Sequence, residues 1–248
     1  SVNHSANFNA GLFLTKFFNE SIFYFLMDKI ITNDGSTTYY NEKYGDYYHS
    51  KSGAVEESFE KYVKPTLIPQ LAKKGHIRIL DIGFGLGYNV SAAIDSIFES
   101  NKGCHIEIES FEKDAELFKL IIDNEAPFKS YNLIKDLSKN YSPEKKKISL
   151  NYCNLSINVN IGDAIENIKK INGKFDACFL DAFSPKKNPE LWSKEFFDDI
   201  YHHMRTNSIL ATFSCARMVR DNLKAAGFNV EDGPIVGRRS PSTIAIKL

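Results

Sequence analysis

The sequence predicts an α/β fold: a mostly parallel sheet with helices on both faces, an antiparallel strand pair at the C-terminus, and an N-terminal hairpin and helical extension. Three observations lead there. Short apolar segments of strand period alternate with segments of helical period from His76 to Gly227. A glycine-rich turn, Gly83-Phe84-Gly85-Leu86-Gly87, stands between the first such strand and its helix. The end of the chain, Phe228 to Leu248, reads as two strands around a Gly/Pro/Arg/Ser loop with no helix between them.

The elements follow in order. Residues 1–28 form an aromatic-rich extension with Phe8, Phe13, Phe17, Phe18, Phe23 and Phe25. It reads either as a helix docked on the domain or as an extension upstream of a natural start at Met27. Two β-branched and aromatic runs, Ile30–Thr32 and Thr37–Tyr40, flank Asn33-Asp34-Gly35-Ser36, a hairpin-turn signal. A polar aromatic loop, Tyr44 to Ser52, precedes a helix over Ala54–Val63, beyond which Pro65 and Pro69 limit continuity. Strands are expected at His76–Asp81, His105–Phe111, Ile157–Ile161, Phe175–Leu180 and Ile209–Phe213, with an extra strand at Ile148–Tyr152. Helices are expected from Val90 to Phe98, Ala115 to Ile122, Trp192 to Met204 and Val219 to Ala226, the last stopped by Gly227. The organisation is therefore an extension, 1–28, and one domain, 29–248, made of a hairpin and helix at 29–70 and an α/β core at 71–248.

Composition narrows the class. The chain has 248 residues, 43% of them hydrophobic and 25% charged, an ordinary globular mixture that excludes fibrous and wholly disordered readings. Its 31 basic and 31 acidic residues cancel, which argues against strong non-specific nucleic-acid binding. No apolar run is long enough to span a bilayer, and the aromatic-rich first segment lacks the basic n-region and small-residue cleavage site of a signal peptide. Cys104, Cys153, Cys178 and Cys215 are scattered without metal-binding spacing, which suits a reducing, cytoplasmic setting and no metal. With no coiled-coil seam or long apolar strand edge, a monomer is expected.

The glycine turn carries the chemistry. It lets the backbone approach a ligand at a helix N-terminus, beyond the carboxyl ends of the strands. A dinucleotide site of the G-x-G-x-x-G kind would need Gly at 88, which is Tyr. Asp81, two residues before Gly83, is also ill placed for pyrophosphate. A carboxylate there suits a cationic nucleoside such as S-adenosylmethionine. Glu112, ending the second strand, can accept ribose hydroxyls, and Asp163 in Gly162-Asp163-Ala164 can hold an adenine amino group. Asp81, Glu112, Asp163 and Asp181 are expected to ring one crevice. An acid at a strand end, taken alone, is usually a solvated cap; the combination is the signal.

The string Leu180-Asp181-Ala182-Phe183-Ser184-Pro185-Lys186-Lys187-Asn188-Pro189-Glu190-Leu191-Trp192 is the most distinctive. With Tyr48-His49-Ser50, Gly53-Ala54-Val55-Glu56, Phe84-Gly85-Leu86-Gly87-Tyr88-Asn89, Ser110-Phe111-Glu112-Lys113 and Leu210-Ala211-Thr212-Phe213-Ser214, it resembles the methyltransferase domain of MnmC and its stand-alone relatives, the bacterial tRNA wobble-uridine enzymes. The likeness runs from about Lys29 to the C-terminus. The terminal loop, Gly237-Arg238-Arg239-Ser240-Pro241, departs from the Lys-Arg-Glu-Met ending usual in that family. The length leaves no room in this chain for the flavin-dependent oxidase domain that MnmC carries.

The resemblance implies a Rossmann-like class I methyltransferase with a seven-stranded sheet and S-adenosyl-L-methionine as cofactor. It implies methyl transfer to the aminomethyl group of 5-aminomethyluridine, possibly 2-thiolated, in a tRNA anticodon stem-loop. Cofactor contacts would come from Asp81, Gly83, Phe84, Gly85, Gly87, Asn89, Glu112, Lys113, Gly162, Asp163, Ala164 and Asp181. Asp181 would orient the amine and accept its proton, and Phe183 would stack on the base or pack on the cofactor. His49 and Ser50 would close over the substrate, with Tyr47 or Tyr48 as alternatives, and Glu56 would bind it. Lys186, Lys187, Arg238 and Arg239 would meet phosphate. Two other classes stay open: an enzyme of the same cofactor type acting on a small-molecule amine, aminopropyltransferases included, and a binding module without catalysis.

Overall fold

The computed structural model describes residues 29–48 and 53–248. The extension at 1–28, with His49 and Ser50, lies outside these. A small antiparallel sheet comes first: β1 (Lys29–Ile31), β2 (Thr37–Asn41) and β3 (Asp46–Tyr47). Its turn is built on Asp34, whose Oδ1 accepts from the Thr32 and Ser36 hydroxyls, both at 2.7 Å. Asp34 Oδ2 reaches onward to accept from the backbone N–H groups of Val55 (2.8 Å) and Glu56 (3.1 Å). One carboxylate thus closes the hairpin and caps the helix that follows. That helix, α1 (Ala54–Glu57), widens at once into a π-helical turn, Ser58–Val63.

The core begins after α2 (Ile68–Ala72). It contains β4 (His76–Ile82), α3 (Tyr88–Ser100), β5 (His105–Glu112), α4 (Leu117–Asp123) and α5 (Tyr131–Ser138). It continues with β6 (Lys147–Tyr152), β7 (Leu155–Ile161), α6 (Ala164–Ile168), β8 (Phe175–Leu180) and α7 (Lys194–His203). β9 (Met204–Thr212), α8 (Arg217–Ala225), β10 (Asn229–Asp232) and β11 (Thr243–Ile246) complete it. Among the described residues the main sheet has eight strands in the order β10-β11-β9-β8-β4-β5-β7-β6. β9, β8, β4, β5 and β7 run parallel; β11 pairs antiparallel with β9 and β10 antiparallel with β11 at one edge, and β6 pairs antiparallel with β7 at the other. The count is eight rather than seven because the extra strand, Ile148–Tyr152, folds back on β7 through Cys153-Asn154.

The sheet is covered on both faces, so its middle strands are continuous apolar runs. One face packs Ile77, Ile79, Ile106 and Ile108 under α3 and α4; the other packs Leu80, Cys178, Leu180 and Leu210 under α7 and α8. The helix expected over Trp192–Met204 instead starts at Lys194, because Ser193 caps it, its hydroxyl accepting from Phe196 N–H. Trp192 closes the preceding 3₁₀ turn, fully buried, and donates its indole N–H to Phe183 O at 2.9 Å. Among the described residues no helix is long and apolar enough to cross a membrane.

Candidate functional site

The strand order reverses at β4: β5 lies on one side and β8 on the other. In an open α/β sheet the crevice beyond the carboxyl ends at such a point is where ligands bind. The turn Gly83–Gly87 leaves β4 there, and Asp181 leaves β8. The two are pressed together: Asp181 N–H donates to Ile82 O at 2.9 Å, and a Cβ on Gly83 (φ +94°) would lie 2.6 Å from Asp181 O. Gly85 is different, since a Cβ there would approach nothing nearer than Gly83 O at 4.0 Å. Its missing side chain leaves the crevice side of the turn open, where a side chain would occupy ligand space.

Two cavities meet at this point. The inner one, about 70 Å³, is bounded by Gly83, Gly85, Glu112, Lys113, Asp163, Ala164 and Asp181, and by Tyr44, Tyr48 and Phe183 above. The outer one, about 370 Å³, is bounded by Asp46, Tyr47, Glu57, Lys61, Tyr62, Phe213 and Arg238. Tyr48 and the segment Asp181-Ala182-Phe183 border both. The inner cavity is narrow because aromatic rings cap it. Phe183 stacks on Tyr44 with centroids 4.2 Å apart and lies tilted against Tyr48 at 5.3 Å. Tyr48 is held in turn by Asp114, donating its hydroxyl to Oδ2 at 2.6 Å.

Carboxylates dominate the inner cavity. Glu112 is nearly enclosed; its Oε2 accepts from Gly85 N–H (2.8 Å) and its Oε1 from Asp114 N–H (2.7 Å). Burial outweighs these donors and raises its pKa to about 7. Asp163 caps α6 through Ile165 N–H (3.0 Å) and pairs with Lys113 Nζ (3.0 Å). Partial burial works to raise its pKa, but Lys113 and the cap hold it below the usual carboxylate range.

Asp181 is the pivot. Tyr62 Oη donates to its Oδ1 at 2.5 Å and Asn89 Nδ2 to its Oδ2 at 2.8 Å. Desolvation still lifts its pKa to about 6, against the pull of both donors. A carboxylate poised near neutrality and aimed at the junction of two cavities can exchange a proton there.

Among the residues expected from sequence, the structure brings Gly83, Gly85, Glu112, Lys113, Gly162, Asp163, Ala164, Asp181 and Phe183 to the inner cavity. Asn89 joins through Asp181, and Gly87 (φ +76°) starts α3. Asp81 does not join them. It sits fully buried one layer below, accepting from the Ser110 hydroxyl of the neighbouring strand, because β4 runs one residue further to Ile82. Its Oδ1 has no partner among the described residues, and burial pushes its pKa well up. Phe84 points into the core. Arg238 borders the outer cavity and donates to Phe213 O and Pro241 O. Lys186, Lys187 and Arg239 are exposed and border neither cavity. Glu56 is exposed as well; its neighbour Glu57 is the one that faces the outer cavity.

Sequence reasoning did not single out Tyr62, Glu57, Lys61, Tyr44 or Asp114. Only the polar aromatic loop Tyr44 to Ser52 hinted at the cap. The one described group able to converge on a metal, His76, His105 and Glu107, stands at the opposite, amino-terminal ends of β4 and β5. There Glu107 is already paired with Arg78 at 3.0 Å.

Comparison with known proteins adds four relations. Residues 129–248 match a family described as S-adenosyl-L-methionine-dependent methyltransferase. The crystal structure of MnmC2 from Aquifex aeolicus superposes with a TM-score of 0.75 at 34% identity, over 99% of this chain and 78% of that one. An uncharacterised protein of Methanocaldococcus jannaschii is 34% identical over 87% of this chain and 58% of its own length. The tRNA 5-methylaminomethyl-2-thiouridine biosynthesis bifunctional protein MnmC of Leptospira interrogans is 28% identical over 85% of this chain. The chain spans 34% of that bifunctional protein's length.

Proposed function

The chain belongs to the MnmC-like family of S-adenosyl-L-methionine-dependent methyltransferases, and from that premise we propose that it methylates the aminomethyl nitrogen of 5-aminomethyluridine, with or without a 2-thio group, at the tRNA wobble position. The observation that carries this reading is the junction at Asp181: a narrow crevice lined by acids on one side, a wider aromatic cavity on the other, and one carboxylate bordering both. The donor set fits the cofactor. The open face of Gly85 admits a ligand against the backbone, and Glu112 and Asp163 supply acceptors for a ligand rich in hydroxyl and amino donors.

Once bound, S-adenosylmethionine supplies an electrophilic methyl group on a sulfonium. The protein's task is to bring a neutral amine to it in line. With Lys as a proxy at pKa ~10.4, baring a primary amine at pH 7 costs about 4–5 kcal/mol. Asp181 accepts a hydrogen bond from the amine, aligns its lone pair, and takes the proton that the nitrogen sheds as its new bond forms. Tyr62 and Asn89 hold the carboxylate so that it does not turn away. Phe183 and Tyr48 exclude water from the junction, and a base turned out of the anticodon stack lies against the outer aromatic walls. Arg238 stands at the rim for a phosphate. Four unpaired cysteines and an RNA substrate accord with action in the cytoplasm.

The deciding experiment is a methylation assay on tRNA undermodified to carry 5-aminomethyluridine. Label from the cofactor should enter the tRNA and appear as 5-methylaminomethyluridine on nucleoside analysis. Label that enters only free amines, and never this tRNA, would transfer the assignment to a small-molecule acceptor.

A further inference from the structure

Lys61 is 5% exposed, and its ammonium pairs with Glu57 one helical turn earlier. Such i,i+4 pairs ordinarily stand on a solvated helix face. This one forms part of the wall of the outer cavity, on the segment where α1 widens into its π-helical turn, next to Tyr62. Burying two charges is costly, and a well-packed apolar pair would serve the fold at least as well. Among the described residues each side chain has its hydrogen bond to the other alone, through Glu57 Oε1. That leaves Glu57 Oε2 and two ammonium hydrogens to spare on a wall of the outer cavity. Both charges act on Asp181, Glu57 raising its pKa and Lys61 lowering it, so the pair is within electrostatic reach of the reacting nitrogen's position.

We propose that Glu57 and Lys61 read the pairing edge of the acceptor base, Glu57 accepting from a ring imide N–H and Lys61 donating to the carbonyl beside it. The inference rests on the proposed reaction and names what selects its substrate. A uracil ring offers that arrangement, N3–H flanked by carbonyl oxygens, while its C5 arm reaches toward Asp181. Cytosine has a bare lone pair at N3, which would face a buried carboxylate with no proton between them. The flat walls given by Phe183, Tyr47 and Phe213 accept either ring, so discrimination falls to the charged pair. A mismatched donor–acceptor edge in a dry site costs far more than a poor apolar fit.

The test uses the full chain and synthetic anticodon stem-loops bearing 5-aminomethyluridine or 5-aminomethylcytidine at the wobble position. Wild type should favour the uridine substrate in kcat/KM by about 10- to 100-fold. Glu57→Gln should bring the two to near parity, because an amide can turn its N–H toward a bare N3. The double variant Glu57→Leu with Lys61→Leu removes the buried charges together; it should melt no lower than wild type and show no preference. No preference in wild type, or an equal fall for both substrates in Glu57→Gln, would overturn the proposal. If wild type methylates neither stem-loop, the proposed reaction itself fails. Edge reading is then judged by fluorescence anisotropy with stem-loops carrying plain uridine or cytidine at that position. Tighter uridine binding that Glu57→Gln abolishes upholds it, and equal affinities refute it.

Discussion

Tyr62 Oη donates a 2.5 Å hydrogen bond to Asp181 Oδ1 across 119 residues of sequence. It joins the N-terminal helical segment to the end of a central strand, and its geometry ties the hairpin region to the chemistry of the core. Burial raises the Tyr62 phenol further, with Asp181 adding to the effect, so the phenol stays a donor across the working pH range.

Asp181→Ala should keep cofactor binding and lose turnover. The backbone of Asp181 remains in place against Ile82, so calorimetric affinity for S-adenosylmethionine should stay near wild type while kcat falls about 10²- to 10⁴-fold. Equal loss of both would make Asp181 a cofactor residue instead.

Tyr62→Phe should move the pH profile. With a pKa of about 6, Asp181 gains its basic form as pH rises through that value, and activity should rise with it. Removing a donor to the carboxylate favours the protonated form. The acid limb of kcat should therefore shift to higher pH, with activity recovering in alkaline buffer. A profile that only scales down, without shifting, would assign Tyr62 to packing alone.

Glu112→Gln should flatten a pH dependence of stability. The Glu112 pKa is raised from 4.5 to about 7, so the folded state holds the proton more tightly than the unfolded chain. Its contribution is fully present below pH 4.5 and is lost as pH rises toward 7. The melting temperature of the ligand-free variant should decline less than wild type over that window, and its affinity for S-adenosylmethionine should be weaker.

Asp34 works with the opposite sign. Its pKa is lowered to about 2: burial opposes the shift, but the Ser36 and Thr32 hydroxyls and backbone donors overcome it. Its contribution is present above the unfolded value of 3.8 and is lost as pH falls toward 2. Asp34→Ala should detach the hairpin from α1 and cost about 1 kcal/mol for the lost cap, visible as a lower melting temperature at pH 7 and a smaller loss on acidification.

Gly83→Ala tests the crevice floor. The residue adopts φ +94°, and a Cβ would meet Asp181 O at 2.6 Å. The strain alone costs about 1–3 kcal/mol, and the displaced strand end should lower both melting temperature and cofactor affinity.

Much of this architecture was legible because strand and helix periods are strong over the core, and because Gly83–Gly87 and Asp181–Trp192 are local strings. The cavity-facing side chains were less legible. Adjacent helical residues point about 100° apart, so a one-residue difference in a string decides which acid faces the cavity, and the fold presents Glu57 rather than Glu56. Nothing in the local string marks Tyr62; its meaning comes from a partner 119 residues away. Asp81 was expected at the rim because it precedes the glycines, but one further strand residue, Ile82, leaves it beneath them. Short α6 and α2 have too few residues to show a period at all.

The segment Asp181-Ala182-Phe183 is a wall common to both cavities, and on the proposed function the cofactor lies on one face and the acceptor base on the other. A molecule settling against one side fixes the carboxylate and ring that the other side presents. Linkage then makes the effect mutual: whatever factor the first guest adds to the second's affinity, the second returns to the first. On the proposed function the two cavities would act as one thermodynamic unit, each ligand's dissociation constant depending on whether the other is bound.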